Sequence, residues 1–157
     1  MVQRNLTLEQ FLPFQLSVTS NMVSQMVATT YGALFNLRIP EWRVIAVTAE
    51  RDGVTQQEIG QITRMDKVTV SRTVAALTAR GLLQRAANAS DGRSHLLTLT
   101  ADGRTLYAAV APKALDLEKR IFSTIDPDEL RAFTSTLERL RSAVSRLQDG
   151  AEEDPRR

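Results

Sequence analysis

The chain has 157 residues, 43% of them hydrophobic, with 20 basic and 18 acidic side chains, one histidine and no cysteine. That length suits one domain with a real core, while the missing thiols exclude disulfides, thiolate zinc sites and thiol-based oxidation sensing. No apolar run approaches a membrane span and no secretory apolar region follows Met1, so a soluble, cytoplasmic protein without a membrane partner is expected.

Residues 1–9 carry no strong pattern and are expected to be loosely ordered. Phe11 to Leu37 reads as one long helix, with Phe11, Phe14, Val18, Met22 and Met26 along one side. Leu12, Val23 and Val27 widen that stripe beyond the need of a lone surface helix. Its middle is rich in small polar groups, Asn21 and Ser24 among them. These form either an ordinary hydrated face or a polar wall of a ligand cavity. Pro40 suits the first turn of the next helix, where its missing amide costs nothing. Trp42, Ile45 and Ala46 are expected to bury that helix. Arg43 can pair bidentately with a carboxylate ligand, or form a structural salt bridge with Glu41 or Glu50.

Thr55-Gln56-Gln57-Glu58 has the form of a capping box and opens a short helix, with Ile59 and Ile62 as its buried edge. Thr63-Arg64-Met65 reads as a tight turn. Asp66 then suits the N-cap of a second helix, with Met65 and Val70 spaced as a hydrophobic staple. Val70, Val74 and Leu77 form its inward stripe, which leaves Lys67, Thr69, Ser71 and Arg72 outside near the N-terminal end, with Val68 beside them. Gly81 is placed to stop the helix in a left-handed conformation. Leu83 and Arg85 lie on a short strand, and Leu97 and Leu99 share a face of the returning one. Between them, residues 87–93 form a polar loop with strong turn chemistry. Arg93 near its tip suits the negative potential of a minor groove, and Asp91 is placed to orient Arg93. Two helices, a turn and a ribbon make a winged helix-turn-helix, which sets one helix in a DNA major groove. From Arg64 to Arg93 there are six basic and two acidic residues, net +4, which leaves the rest of the chain at −2. Basic charge is thus concentrated where phosphates would lie.

Thr100 can cap a helix over Ala101–Thr124 that carries Leu106, Val110, Leu115, Ile121 and Phe122, and Pro112 should kink or break it. Asp126-Pro127-Asp128-Glu129 is a strong helix start. Leu130, Phe133, Leu137, Leu140, Val144 and Leu147 follow as a narrow heptad seam that wants a partner. Gly150 to Arg157 reads as a charged, frayed tail.

Three stretches carry a resemblance: IPEWRVI, MDKVTVSRTVAALTARGLL and DGRSHLLTLTADGR. Together they resemble the MarR (multiple antibiotic resistance regulator) family of bacterial transcription factors. Asp91-Gly92-Arg93 matches the family's Asp-x-Arg wing motif, and Leu99-Thr100 its Leu-Thr junction. The resemblance covers roughly residues 10–148. It implies a mainly α fold with a small β wing: a helical dimerisation segment at 1–37, a DNA-binding lobe at 38–99, and dimerisation helices with the tail at 100–157. It further implies a homodimer on a near-palindromic operator, most simply a repressor. An effector site is implied between lobe and dimerisation helices, for which Asn21, Ser24, Arg38, Trp42 and Arg43 are the candidates and an aromatic carboxylate or its conjugate the ligand.

No phosphate-binding loop, dinucleotide fingerprint, nucleophile elbow or zinc-protease motif is present. The single histidine, His95, lacks partners for a metal site, so neither enzyme, metal nor cofactor is expected. Two alternatives stay open: a winged-helix protein-docking module without DNA binding, and a constitutive DNA binder without an effector.

Overall fold

Among the described residues, 6–51 and 53–152 of the computed structural model, the chain is helical except for one two-stranded sheet. Of the segment 1–9 expected to be loosely ordered, residues 1–5 lie outside the described ones, and a 3-10 turn forms at Leu8–Gln10. It leads into α1 (Leu12–Phe35), which ends at Asn36 in the left-handed region at φ 51°. That reversal turns Leu37 into the core, where it is 2% exposed. Then follow α2 (Ile39–Ala49), α3 (Gln56–Thr63), α4 (Lys67–Ala79), β1 (Leu83–Ala87), β2 (His95–Leu99), α5 (Ala101–Ile121) and α6 (Pro127–Glu152). The chain divides into two compact units, one ending at Ala114 and the other starting at Leu115.

The core of the first unit draws on every element from α1 to α5. Val44 and Ile45 of α2, Ile59 of α3, Val70, Val74 and Leu77 of α4, Leu97 of β2 and Val110 of α5 are all essentially fully buried. Each such side chain contributes about 1.5–3 kcal/mol relative to exposure. The face that α2 buries is displaced from the expected one: Val44, Ile45 and Val47 carry it, while Ala46 and Trp42 are half-buried. In α3 the inward face runs through Ile59 and Gly60, so Ile62 is 45% exposed instead of forming a buried edge. A Cβ on Gly60 would meet Met65 O at 3.4 Å and Val70 Cγ2 at 3.8 Å, so α3 approaches the turn and α4 closely here.

The ribbon is antiparallel, with Leu83 opposite Leu99 and Arg85 opposite Leu97. Val54 adds a one-residue third strand unseen in the sequence: its amide donates to Leu97 O at 3.1 Å, and the Leu97 amide donates to Val54 O at 2.8 Å. Thr100 caps α5, its Oγ1 accepting from the Gly103 amide at 3.0 Å and donating to Gly81 O at 2.6 Å. Gly103 is required by close approach, because a Cβ there would lie 2.1 Å from Leu82 O.

In α5 the helix passes unbroken through Pro112. Leu115 is 65% exposed, contrary to the expected stripe, and Leu117 is buried in its place. Asp126 caps α6, its Oδ1 accepting from the Asp128 amide at 2.8 Å. That helix runs on through Gly150 to Glu152, so the expected fraying at Gly150 is not seen, and residues 153–157 lie outside the described ones. On α6, Leu130 and Leu137 are half-buried, while Phe133, Leu140, Val144 and Leu147 are exposed. Phe11 just before α1 and the stripe of Phe14, Val18, Met22 and Met26 along it are exposed as well, and the residue of α1 that is buried is Tyr31.

Candidate nucleic-acid interface

Local chemistry fixes the helix-turn-helix. Thr55 Oγ1 accepts from the Glu58 amide at 3.2 Å, and the Glu58 carboxylate accepts from the Thr55 amide at 2.8 Å, closing the capping box. These Thr55 bonds, from the amide and then the hydroxyl, hold the Glu58 carboxyl below its ordinary range. Arg64 takes the left-handed conformation at φ 56°, which reverses the chain between the helices. Asp66 then starts α4 by accepting from the Thr69 hydroxyl at 2.5 Å and the Thr69 amide at 2.8 Å, bonds that also lower its pKa. At the far end Gly81 is left-handed at φ 69°. Its amide donates to Thr78 O and that of Leu82 to Leu77 O, both at 2.9 Å. That is the Schellman pattern, which satisfies two carbonyls left over by the last turn.

The outer side of α4 carries Lys67, Val68, Ser71 and Arg72, all exposed, with Val68 at 57%. Thr69 is half-buried and engages its hydroxyl with Asp66. Asp91 Oδ1 accepts from the backbone amide of Arg93 at 3.0 Å, so it shapes the chain that carries Arg93. A second wing organiser went unread in the sequence. Asn88 accepts from the Ser90 amide at 3.1 Å and donates to Ser94 Oγ at 2.8 Å, bracing both sides of the loop. An Asn six residues before a Ser in a turn-rich loop was the available signal, but such pairs are common. The wing and α4 together border one groove, whose walls include Lys67, Asp91 and Arg93.

Glu41 is the other residue the sequence left obscure. It is 4% exposed, accepts from the Arg38 amide at 2.8 Å, and pairs with the guanidinium groups of Arg38 at 3.3 Å and Arg80 at 3.4 Å. Burial pushes its pKa up, but the Arg38 bonds together with the Arg38 and Arg80 charges outweigh that, and its carboxyl is held below the ordinary range. Arg80 is the C-cap of α4, so this carboxylate ties the start of α2 to the end of the outward-facing helix. Neither salt bridge expected for Arg43 forms; Arg43 is exposed, and Glu41 takes Arg38 and Arg80 instead.

Of the other effector candidates, Arg38 is engaged with Glu41, Asn21 is exposed and Ser24 is half-buried on α1. Trp42 sits between two tyrosines, edge-on to Tyr31 at 5.4 Å and stacked on Tyr107 at 5.8 Å. That trio joins α1, α2 and α5, and its tyrosines were not singled out by the sequence. Among the described residues no cluster of acidic or histidine side chains is arranged to hold a metal ion, and no helix is long and apolar enough to cross a membrane.

A sequence profile of the MarR family matches residues 35–94. The chain is 24% identical over 119 residues to the transcriptional regulator HosA of Escherichia coli O157:H7, covering 76% of this chain and 88% of that protein. A MarR/EmrR family transcriptional regulator from Acinetobacter sp. ADP1 superposes with a TM-score of 0.84 at 26% identity, covering 90% of this chain and 99% of that one. CouR from Rhodococcus jostii RHA1, solved bound to p-coumaroyl-CoA, shares the fold with a TM-score of 0.76 at 23% identity, over 87% of this chain and 95% of its own. The profile falls on α2, the helix-turn-helix and the first strand and loop of the wing, and the structural likeness extends that agreement through the long helices on either side in sequence; together these matches support a transcriptional regulator of MarR type.

Proposed function

We propose that this regulator is a homodimeric repressor, released from a near-palindromic operator by a small aromatic acid or its conjugate. The observation that carries the DNA reading is the shared groove of α4 and the wing, which brings Lys67 and Arg93 together although 26 positions separate them. In this reading Lys67, Val68, Thr69, Ser71 and Arg72 meet the major groove, and Arg93, on a backbone held by Asp91, enters the minor groove. Thr69 contributes through the α4 start, since its hydroxyl is engaged with Asp66.

Dimerisation is supported by apolar exposure no single subunit needs: Phe11 just before α1, Phe14, Met22 and Met26 on α1, and Phe133, Leu140, Val144 and Leu147 on α6. In the proposed organisation 1–37 and 100–157 are the dimerising parts and 38–99 the DNA-binding lobe. A two-fold then presents two α4 helices to half-sites about one helical turn apart. The effector reading draws on CouR's aromatic conjugate. It draws also on the Tyr31–Trp42–Tyr107 trio, near in sequence to Arg38 and Arg43, with Asn21 and Ser24 on the adjoining helix. A ligand that favours a dimer of different helix spacing by about 1.4 kcal/mol weakens operator binding tenfold.

The test is a titration of the protein against its own upstream intergenic DNA at two salt concentrations, with and without a panel of aromatic acids and their thioesters. Salt-sensitive, sequence-preferential binding released by one compound supports the whole reading. Binding indifferent to every compound removes the effector part. No binding at low salt removes the DNA face.

A further inference from the structure

His95 is the chain's single histidine, and the reading above gives it no role. It opens β2 and pairs with Ala87. Alternation along the strand puts His95, Leu97 and Leu99 on one face. Leu97 and Leu99 are buried in the lobe, whereas His95, one step beyond the core, is exposed. Its side of the ribbon is therefore the side turned toward the helices. There it helps line a groove of about 330 Å³ together with Lys67 of α4 and Arg93 of the wing.

A duplex that takes α4 in its major groove and the wing tip in the adjoining minor groove has one sugar–phosphate strand between the two. That strand must pass along this groove. We infer that His95 is a phosphate contact of the DNA face whose strength is set by its protonation, an inference that rests on the DNA-face reading above. As imidazolium it donates a charge-assisted N–H bond to a phosphate oxygen; as imidazole it adds no charge. The charged groups bordering the groove with it are Lys67 from α4, and Asp91 and Arg93 from the wing loop. The other lining groups are uncharged, Thr55, Gln56 and Gln57 at the start of α3 and Asn88 and Ser94 of the wing loop, as is Ala87, the partner of His95 on β1. An anion is therefore what completes this charge set.

Histidine is the side chain that ordinarily changes charge between pH 5 and 8. With one histidine and no cysteine, this chain offers few other sources of proton linkage in that interval. The experiment is anisotropy of a labelled mixed-sequence duplex at low, constant ionic strength, at about pH 5.5 and about pH 8. The natural protein, His95→Gln and His95→Lys are compared, with matching thermal melts as the control for folding. The natural protein is expected to bind about fivefold more tightly at the lower pH, with a salt slope steeper by about 1.8, one phosphate's worth from each protomer of the proposed dimer. His95→Gln should bind at both pH values as the natural protein does at the higher one, and His95→Lys should bind tightly at both. Binding by the natural protein that ignores pH, or the same pH dependence kept in His95→Gln, overturns the assignment and leaves the DNA face standing. Failure of all three proteins to bind at either pH overturns the DNA-face reading and this inference with it.

Discussion

Arg72 and Lys67 both stand exposed near the start of α4, and residue-scale chemistry separates what each can do. A guanidinium can read a guanine bidentately, whereas an ammonium is a point charge suited to phosphate. Arg72→Ala is expected to cost about 1–3 kcal/mol of operator affinity and to relax preference at one base position. Equal loss on every sequence in a binding-selection assay would make Arg72 a phosphate contact. Glu41 belongs to the same scale. Because its carboxyl is held below the ordinary range in the folded chain, its contribution is present at neutral pH and fades as pH falls through the carboxylate range toward the depressed folded value. Glu41→Ala, which leaves the Arg38 amide and the Arg80 guanidinium without that acceptor, is expected to lower stability by about 2 kcal/mol near neutrality. The gap from the natural protein should narrow in acid, as read from urea midpoints across a pH series. A gap that stays constant would assign the loss to packing alone.

Elements here begin and end where short-range bonds say they should. Thr55 with Glu58, Asp66 with Thr69, Thr100 with Gly103 and Asp126 with Asp128 are all contacts two or three residues apart. Such caps are legible in a sequence because the partners' spacing is fixed by the helix itself. The joint between wing and α5 is different. It depends on Gly103 lying against Leu82 O, a contact 21 positions away in the chain. Gly103→Ala must push that backbone aside, and a loss of about 3 kcal/mol is expected, near 10 °C in melting temperature for a chain of this size. A melt within a degree or two of the natural protein would mean that the joint yields freely.

At the scale of the whole molecule, the proposed dimer rests on the exposed apolar residues of α1 and α6. Leu140→Glu combined with Leu147→Glu adds charge to residues that are 42% and 74% exposed in one chain. A folded but monomeric variant is therefore expected in sedimentation, with operator affinity reduced at least a hundredfold because two half-sites can no longer be held at once. A variant that stays dimeric would move the interface off α6.

The sequence by itself determined the main helices and the ribbon, the caps at Thr55, Asp66, Thr100 and Asp126, the left-handed stop at Gly81 and the winged helix-turn-helix order, because those follow from contacts within a few residues. It also identified the inward stripe of Val70, Val74 and Leu77, since strong apolar periodicity leaves one face to bury. Only the tertiary structure decided which way the weakly patterned helices turn: toward Val44 and Val47 instead of Ala46, toward Gly60 instead of Ile62, toward Leu117 instead of Leu115. It alone joined Glu41 to Arg80, Val54 to Leu97 and His95 to the groove beside Lys67. Those pairings depend on how helices and ribbon cross in space, and residue spacing along the chain does not encode a crossing angle.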